Sequence, residues 1–487
     1  MLSEGKTKKQ FIAAIAALVL TGAVCGCEIK SEEAGDNKAL AYEISDVPES
    51  KPDGGVEAHE NTASSAGEGK AQEALLITLE GSDTRVVEGA SFSDGNLLIS
   101  ESGSYVLSGS LDNGSVIVDA KKDSEISLIL SGVDINSEEE AAICVKKAGR
   151  VVLTTKKDTE NHLKRAEGSS NEDSDGGKGV IFSRNELTLD GDGSLFLETG
   201  YKHGIDVKDD LIIAGGTLSV SAEGDGLHSN DSIVIRGGSV DITSKDDGIH
   251  AGDEICVEDG RIVIAESYEG IEAENIDIRG GELEIASIDD GINATVGDDM
   301  KNGVNISGGR IRVVNRQGTQ ADGIDSNGDI RISGGEITVS LSPGKSNNAL
   351  DYGIENGGRL LTDGGRLIAC GGSVKAESPD EKSAQCSIFC NLEKAVEAPT
   401  EVVLRDKNGE EVFSGTIPLS FTTMTISCPE LTLQKPFILC IGEEQMEITP
   451  ESTVTVIRPA NFLSYGTCYT VSGQLLKGRR EHELYPV

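Results

Sequence analysis

Asp225-Gly226-Leu227, Asp247-Gly248-Ile249, Glu269-Gly270-Ile271 and Asp290-Gly291-Ile292 are four versions of one phrase: an acid, a glycine, an aliphatic residue. Most continue into alternating aliphatics, as in Ile233-Val234-Ile235 and Ile276-Asp277-Ile278. A glycine pair closes most of these runs, as Gly237-Gly238 or Gly280-Gly281, and a second alternating run follows, Val240-Asp241-Ile242 or Leu283-Glu284-Ile285. The anchoring glycines Gly204, Gly226, Gly248 and Gly270 stand 22 residues apart, and Gly291 follows after 21. Gly323 and Gly353 come after 32 and 30, so two later units carry insertions.

A fixed period of this size marks a solenoid, in which each unit is too small to bury its own core and stacks on the next. Alternation with period two marks strands, because strand side chains point to opposite faces in turn. No run in the repeat keeps a helical period. The expected fold is therefore all-β, a parallel β-helix with short strands joined by glycine turns. Leucine-rich repeats share such periods, but the glycine pairs and the isoleucine and valine bias argue against them. The glycine-rich nonapeptide calcium repeat is absent as well. Stacked coils lie about 4.8 Å apart, so roughly ten coils would span about 45–50 Å.

Outward from the repeat, the chain divides by composition. Lys6, Lys8 and Lys9 precede an apolar run from Phe11 to Val24, too short for a membrane span and suited to a signal peptide. It ends in Val24-Cys25-Gly26-Cys27, which resembles the bacterial lipoprotein motif with Cys27 as the lipidated residue. The alternative is a plain secretory signal and a chance cysteine. Residues 28–73 are rich in Glu, Ser, Gly, Ala and Asp without apolar periodicity and read as a disordered acidic tether. The expected order is thus a lipoprotein signal over 1–27, the tether over 28–73 and the β-helix over 74–385. A C-terminal antiparallel β cap over 386–450 and a tail over 451–487 complete it. The cap is read from Val402-Val403-Leu404, Glu411-Val412-Phe413 and Phe437-Ile438-Leu439, separated by turns such as Asp406-Lys407-Asn408-Gly409. Its expected task is to cover the open last coil. A separate small β domain is the alternative. Asp158 to Lys178 breaks the coil pattern and reads as a polar loop. Eight cysteines follow Cys27, an even number that permits disulfides in an exported protein but fixes no pairing.

The net charge of −40 excludes nucleic acid as a partner, since phosphate binding needs a basic face. In a β-helix the equivalent residues of successive coils lie above one another. Asp225, Asp247, Glu269, Asp290 and Asp322 form one acidic column. Asp206, His228, His250, Glu272, Asn293 and Asp325 form a second, and Asp246 and Asp289 a third, partial one. Stacked carboxylates repel and need an offsetting cation. Calcium takes carboxylate and carbonyl oxygens at about 2.3–2.6 Å in flexible geometry, so carboxylates on adjacent coils can share an ion. The candidate ligands are Asp246, Asp247, Glu269, Glu272, Asp289, Asp290, Asn293, Asp322 and Asp325. Zinc is disfavoured because no cysteine joins His228 and His250. The competing reading is ordinary turn chemistry, each Asp capping its own turn and each Gly supplying positive φ.

Tyr201-Lys202-His203-Gly204-Ile205, Asp247-Gly248-Ile249-His250-Ala251, Ser267-Tyr268-Glu269-Gly270-Ile271-Glu272, Asp322-Gly323-Ile324-Asp325-Ser326-Asn327-Gly328 and Ala349-Leu350-Asp351-Tyr352 together resemble a bacterial family. Its members are surface or secreted carbohydrate-binding proteins with a right-handed parallel β-helix similar to that of pectate lyases. The resemblance covers about residues 75–445. It implies calcium in the helix and binding of cellulose and acidic, pectin-like sugars, with no established catalysis.

The resulting expectation is a calcium-loaded polysaccharide-binding lipoprotein, exported and held at the membrane surface by its lipid. A calcium-dependent lyase or pectinase-like enzyme is one alternative, with Arg236, Arg279, Arg310 and Arg331 as candidate bases beside glycine pairs. A non-catalytic spacer or adhesin is the other. The chain has no Trp. Tyr201, Tyr268 and Tyr352 are the expected stacking residues, with packing against a loop as the alternative, and so few aromatics favour acidic sugars bridged through calcium over flat cellulose.

Overall fold

A computed structural model describes residues 74–166, 177–295, 303–315, 321–344, 347–372 and 376–458, with a short pairing of Cys468–Tyr469 and Leu475–Leu476. The signal segment with Cys27, the tether and residues 167–176 of the polar loop lie outside the described residues. The parallel β-helix is present. Each repeat supplies one short strand to a twelve-stranded sheet and two to a larger sheet. The unit after Asp225 shows the pattern: Leu227–Ser229, then Ser232–Ile235, then Ser239–Ser244. The period sets the register. Leu211 pairs with Ile233, Ile233 with Ile255 and Ile255 with Ile276, so like residues stack coil after coil.

The inward positions of the three strands are mostly Ile, Leu and Val, with Ala or Ser ending the short strand, and the apolar ones merge into one continuous core. Ile233, Ile255, Ile276, Val304 and Ile330 are fully buried in a single row. Apolar burial of this kind contributes about 25 cal/mol per Å² of surface removed from water.

The glycine pairs and the anchoring glycines serve different geometry. The second glycine of each pair turns left-handed, with φ of 85° at Gly238, 85° at Gly281 and 84° at Gly309. The anchoring glycines are not left-handed. Instead, a Cβ on Gly248 would lie 2.6 Å from the Gly270 carbonyl of the next coil and 2.7 Å from the Ile264 side chain. Close backbone approach therefore excludes a side chain there, which corrects the positive-φ reading. Gly353 is also not the last anchor. Ile324 pairs with Leu350, so Ala349 stands below Gly323.

Two ends are closed by antiparallel strands. Ala90–Ser93 and Asn96–Ile99 form a hairpin at the start of the twelve-stranded sheet. At the other end Phe421–Ser427 pairs antiparallel with Leu360–Gly371, the last strand that the coils add in parallel to the large sheet. That last strand serves two cores: Leu367 and Ala369 enter the solenoid core, while Ile368 and Cys370 enter the cap core. The cap runs further than the sequence suggests, because Val454–Ile457 pairs with Ser387–Val396. Glu160–Arg165 also belongs to the coils rather than to the polar loop, pairing with Ser194–Thr199. Buried Arg165 brackets the base of that loop through the Gly177, Gly179 and Glu139 carbonyls. Cys144, Cys256, Cys370, Cys386, Cys390, Cys428 and Cys440 are all free thiols.

Candidate functional site

One four-residue motif repeats along the edge of the twelve-stranded sheet. Its first and fourth residues make two neighbouring columns. The first column is His203, Asp225, Asp247, Glu269, Asp290, Asp322 and Asn348. Its backbone is tied coil to coil by bonds such as Gly226 N–H to the Asp247 carbonyl and Gly291 N–H to the Asp322 carbonyl. The second column is Asp206, His228, His250, Glu272, Asn293, Asp325 and Asp351, each paired in register with the next. The acidic columns expected from the period are therefore in register, and each gains members that the sequence reading left out. His203 and Asn348 stand at the ends of the first column, and Asp351 ends the second.

The aspartates of the first column do not cap their own turns. Asp225 Oδ1 accepts the amide N–H of Asp247 at 3.2 Å, and Asp247 Oδ1 accepts that of Glu269 at 3.2 Å. Asp290 Oδ1 accepts the Asp322 N–H at 2.6 Å, and Asp322 Oδ1 accepts that of Asn348 at 2.5 Å. Each carboxylate thus fastens one coil to the next and keeps its second oxygen free to face the other column.

What that second oxygen meets differs along the ladder. Asp225 Oδ2 lies 2.7 Å from His228 Nδ1 and 3.2 Å from His203 Nδ1. Burial alone would raise the Asp225 carboxyl, but hydrogen bonds and charge from His203 and His228 outweigh it and hold it well below the usual range. His250 Nδ1 lies 3.2 Å from Asp247 Oδ2 and 3.3 Å from Glu272 Oε2. The hydrogen bond to Asp247 carries the His250 imidazole up to about 9, against an opposing effect of burial.

Beyond Glu272 the imidazoles end. Burial pushes the Glu269 carboxyl up to about 8, with Glu272, Asp247 and Asp290 adding repulsion against a hydrogen bond from Asn293. Burial likewise pushes Asp290 up to about 7, aided by Asp325, Asp289 and Asp351. Asp322 is raised by burial and then by Asp290, Asp351 and Asp325. Among the described residues no Lys, Arg or His forms an ion pair with Glu269, Asp290 or Asp322. Carboxylate oxygens of Asp322, Asp325 and Asp351 lie within 4.8 Å of one another, as do those of Asp247, Glu269 and Glu272.

Two buried amide oxygens sit in this stretch without a hydrogen-bond donor among the described residues: Asn293 Oδ1 and Asn348 Oδ1. Their amide nitrogens are engaged, Asn293 Nδ2 donating to Glu269 Oε2 at 2.9 Å and Asn348 Nδ2 to Asp351 Oδ2 at 3.0 Å. A buried polar oxygen left unpaired costs about 1–3 kcal/mol. An all-oxygen set of carboxylates and orphaned amide carbonyls fits a hard cation such as calcium.

The remaining candidates separate. Among the described residues Asp246 and Asp289 join no metal-sized group of acids, and they are not stacked on each other, because Tyr268 occupies the coil between them. Tyr268 is 45% exposed, the neighbouring Asp289 carboxylate pushes its hydroxyl pKa up, and exposed Ile288 adjoins it. Tyr201 has the Arg165 guanidinium over its ring at 4.5 Å. Tyr352 is buried and donates to the Ser378 carbonyl at 3.3 Å. Of the three tyrosines, Tyr268 alone offers a ring at the surface beside the ladder. The candidate basic arginines are paired with acids. Arg279 lies 2.7 Å from Asp277, Arg331 2.9 Å from Asp363, Arg310 3.8 Å from Glu336 and Arg236 3.9 Å from Glu258.

Known proteins resemble parts of this chain. A curated carbohydrate-binding domain-containing protein of Acetivibrio thermocellus is 34% identical over 138 residues, which is 28% of this chain and 48% of that protein. The chain spans about half the length of that curated relative. A solved structure of a polysaccharide lyase-like protein from C. thermocellum, a gadolinium derivative, is 24% identical with a TM-score of 0.39, covering 61% of this chain and 98% of that one. The model of a carbohydrate-binding domain family matches residues 93–253 and 244–387, the whole of the laddered solenoid, and the chain belongs to that family.

Proposed function

We propose that this chain binds acidic, pectin-like polysaccharide through calcium held in the ladder from Glu269 to Asp351. The observation that carries this reading is the pair of orphaned amide oxygens, Asn293 Oδ1 and Asn348 Oδ1, set beside Glu269, Asp290 and Asp322, with which no described Lys, Arg or His forms an ion pair. Asp322, Asp325, Asp351 and the Asn348 carbonyl would hold one ion. Glu269, Glu272, Asp290 and Asn293 supply the neighbouring oxygens. Bound calcium would supply positive charge that a sugar carboxylate can share, which resolves how a chain of net charge −40 attracts an anion.

Tyr268 and Ile288 stand next to this stretch and offer an apolar surface to the face of a sugar ring. One exposed ring suits a chain held chiefly by its charge rather than flat cellulose. The signal segment, Cys27 and the acidic tether extend the proposal to an exported lipoprotein that displays the solenoid at the cell surface.

The test is retention on polygalacturonate and on cellulose with and without EDTA, with absorbance of unsaturated product followed in the same mixture. Retention on polygalacturonate that EDTA abolishes, without new absorbance, is the expected result. Steady growth of absorbance means a lyase. Absence of retention on either glycan overturns the binding reading and leaves a spacer.

A further inference from the structure

We propose that His203, Asp225 and His228 form a second metal site, for a first-row transition ion of the zinc class and distinct from the all-oxygen stretch. One imidazole nitrogen from each histidine and one Asp225 oxygen lie within 4.8 Å of one another. Both Nδ1 atoms converge on the same oxygen, Asp225 Oδ2, at 3.2 and 2.7 Å. Zinc takes imidazole nitrogen and carboxylate oxygen at about 2.0–2.2 Å, which sets neighbouring donors about 3.3 Å apart in a tetrahedron. The His203 contact is already near that separation, and the His228 contact opens by about half an ångström.

The surroundings prepare the donors. Asp225 Oδ1 is committed to the Asp247 amide, so Oδ2 is the oxygen presented to the two rings. The Asp225 carboxyl is 4% exposed and the imidazoles 12% and 21%, so the donors are held by packing yet reachable from solvent. The rings of His203 and His228 stack at 4.6 Å with 21° between their planes. Binding tilts them so that both lone pairs meet at the ion, which replaces the Asp225 N–H that lies 3.1 Å from His203 Nδ1.

The donor chemistry sorts the ions. Calcium takes oxygen ligands, whereas two imidazoles and one carboxylate suit zinc, copper or nickel. The sequence contains 6 histidines, and three of them, His203, His228 and His250, fall on consecutive coils of this ladder. His250 belongs to a neighbouring group with Asp225 and Asp247 and serves as the internal control.

The full chain, stripped of metal, is titrated with zinc against a chromophoric chelator in millimolar calcium. Cobalt(II) absorbance reports the geometry. The expected result is one zinc equivalent that calcium does not displace, with a tetrahedral cobalt spectrum. His203→Gln and His228→Gln each weaken zinc by more than about tenfold, while Glu269→Gln, Asp322→Asn and His250→Gln leave it unchanged. Circular dichroism checks that each variant retains its β-sheet signal. Displacement by calcium overturns the proposal. So does equal zinc affinity in the wild type and both histidine variants, or a loss confined to His250→Gln.

Discussion

From His203 to His250 the ladder sets acids against imidazoles. From Glu269 to Asp351 it sets acids against acids and amides. The backbone pairs in the same way in both stretches, and carboxylate-to-amide bonds join coils in each, from Asp225 and Asp247 in the first and from Asp290 and Asp322 in the second. The side chains at the first and fourth positions of the motif change, and the electrostatics reverse. Asp225 is held well below the usual carboxylate range by two histidines, whereas Glu269 is pushed up to about 8 and Asp290 to about 7. A β-helix repeats whatever it is given, so a column of acids accumulates repulsion unless its neighbour column answers it. The first stretch answers with His203, His228 and His250, and beyond Glu272 no described histidine stands opposite the acids.

Removing a carboxylate should therefore have opposite effects in the two stretches, and this contrast is the largest expected. Asp225→Ala strips two imidazoles and the Asp247 amide of a shared, buried partner and should cost about 3 kcal/mol. Asp322→Asn keeps an acceptor for the Asn348 amide and deletes a like charge, so in EDTA it should stabilise by about 1 kcal/mol. Urea denaturation of the two variants in EDTA measures both. Equal destabilisation would erase the distinction between the stretches.

Calcium should act on the second stretch alone. A ligand that binds only the folded state stabilises by about 2.7 kcal/mol at a hundred times its Kd. That gain should appear as a raised Tm in the wild type and in His228→Gln, and it should shrink in Asp325→Asn and Asp351→Asn. A gain lost in His228→Gln instead would place the ion in the wrong stretch.

Much of this was legible from the period. A repeat of 22 residues fixes the register, so the acids of successive phrases had to stack. His203 was hidden because the first column was defined by acids, and Asn348 because Ala349 replaces the glycine beside it. Gly353 posed as an anchor because insertions erase the spacing that identifies Ala349. The tyrosines were alike in sequence and are unlike in space: Arg165 covers Tyr201, the Ser378 carbonyl engages Tyr352, and Tyr268 stays open. Which imidazole nitrogen reaches which carboxylate is a rotamer matter that no spacing encodes.

Acidity offers a smaller, graded test. Glu269 and Asp290 have folded pKa values above their unfolded ones, so their contribution is full below the unfolded pKa, about 4, and is lost as pH rises through about 7 to 8. His250 acts in the same sense, losing its contribution as pH rises through about 9. Asp225 is depressed, so its contribution is present above the unfolded value and lost only in acid below it. In EDTA the Tm should therefore rise on going from pH 8.5 to pH 5.5, and the rise should flatten in Glu269→Gln. The calcium increment should run the other way and grow with pH, because the ion competes with protons for the same oxygens.

The smallest effect concerns the ring beside the second stretch. Tyr268 is exposed and carries little of the fold, so Tyr268→Ala should change stability by less than about 0.5 kcal/mol. If the ring stacks on sugar, the same variant should weaken retention on polygalacturonate by about three- to tenfold, equivalent to about 0.5–1.5 kcal/mol of aromatic contact. Tyr352→Phe, which removes a buried hydroxyl, should do the reverse, lowering stability slightly and leaving retention unchanged. Retention that is insensitive to Tyr268 but abolished by Asp322→Asn would assign binding wholly to charge. Retention sensitive to Tyr268 alone would move recognition off the ladder and onto the exposed pair of Tyr268 and Ile288.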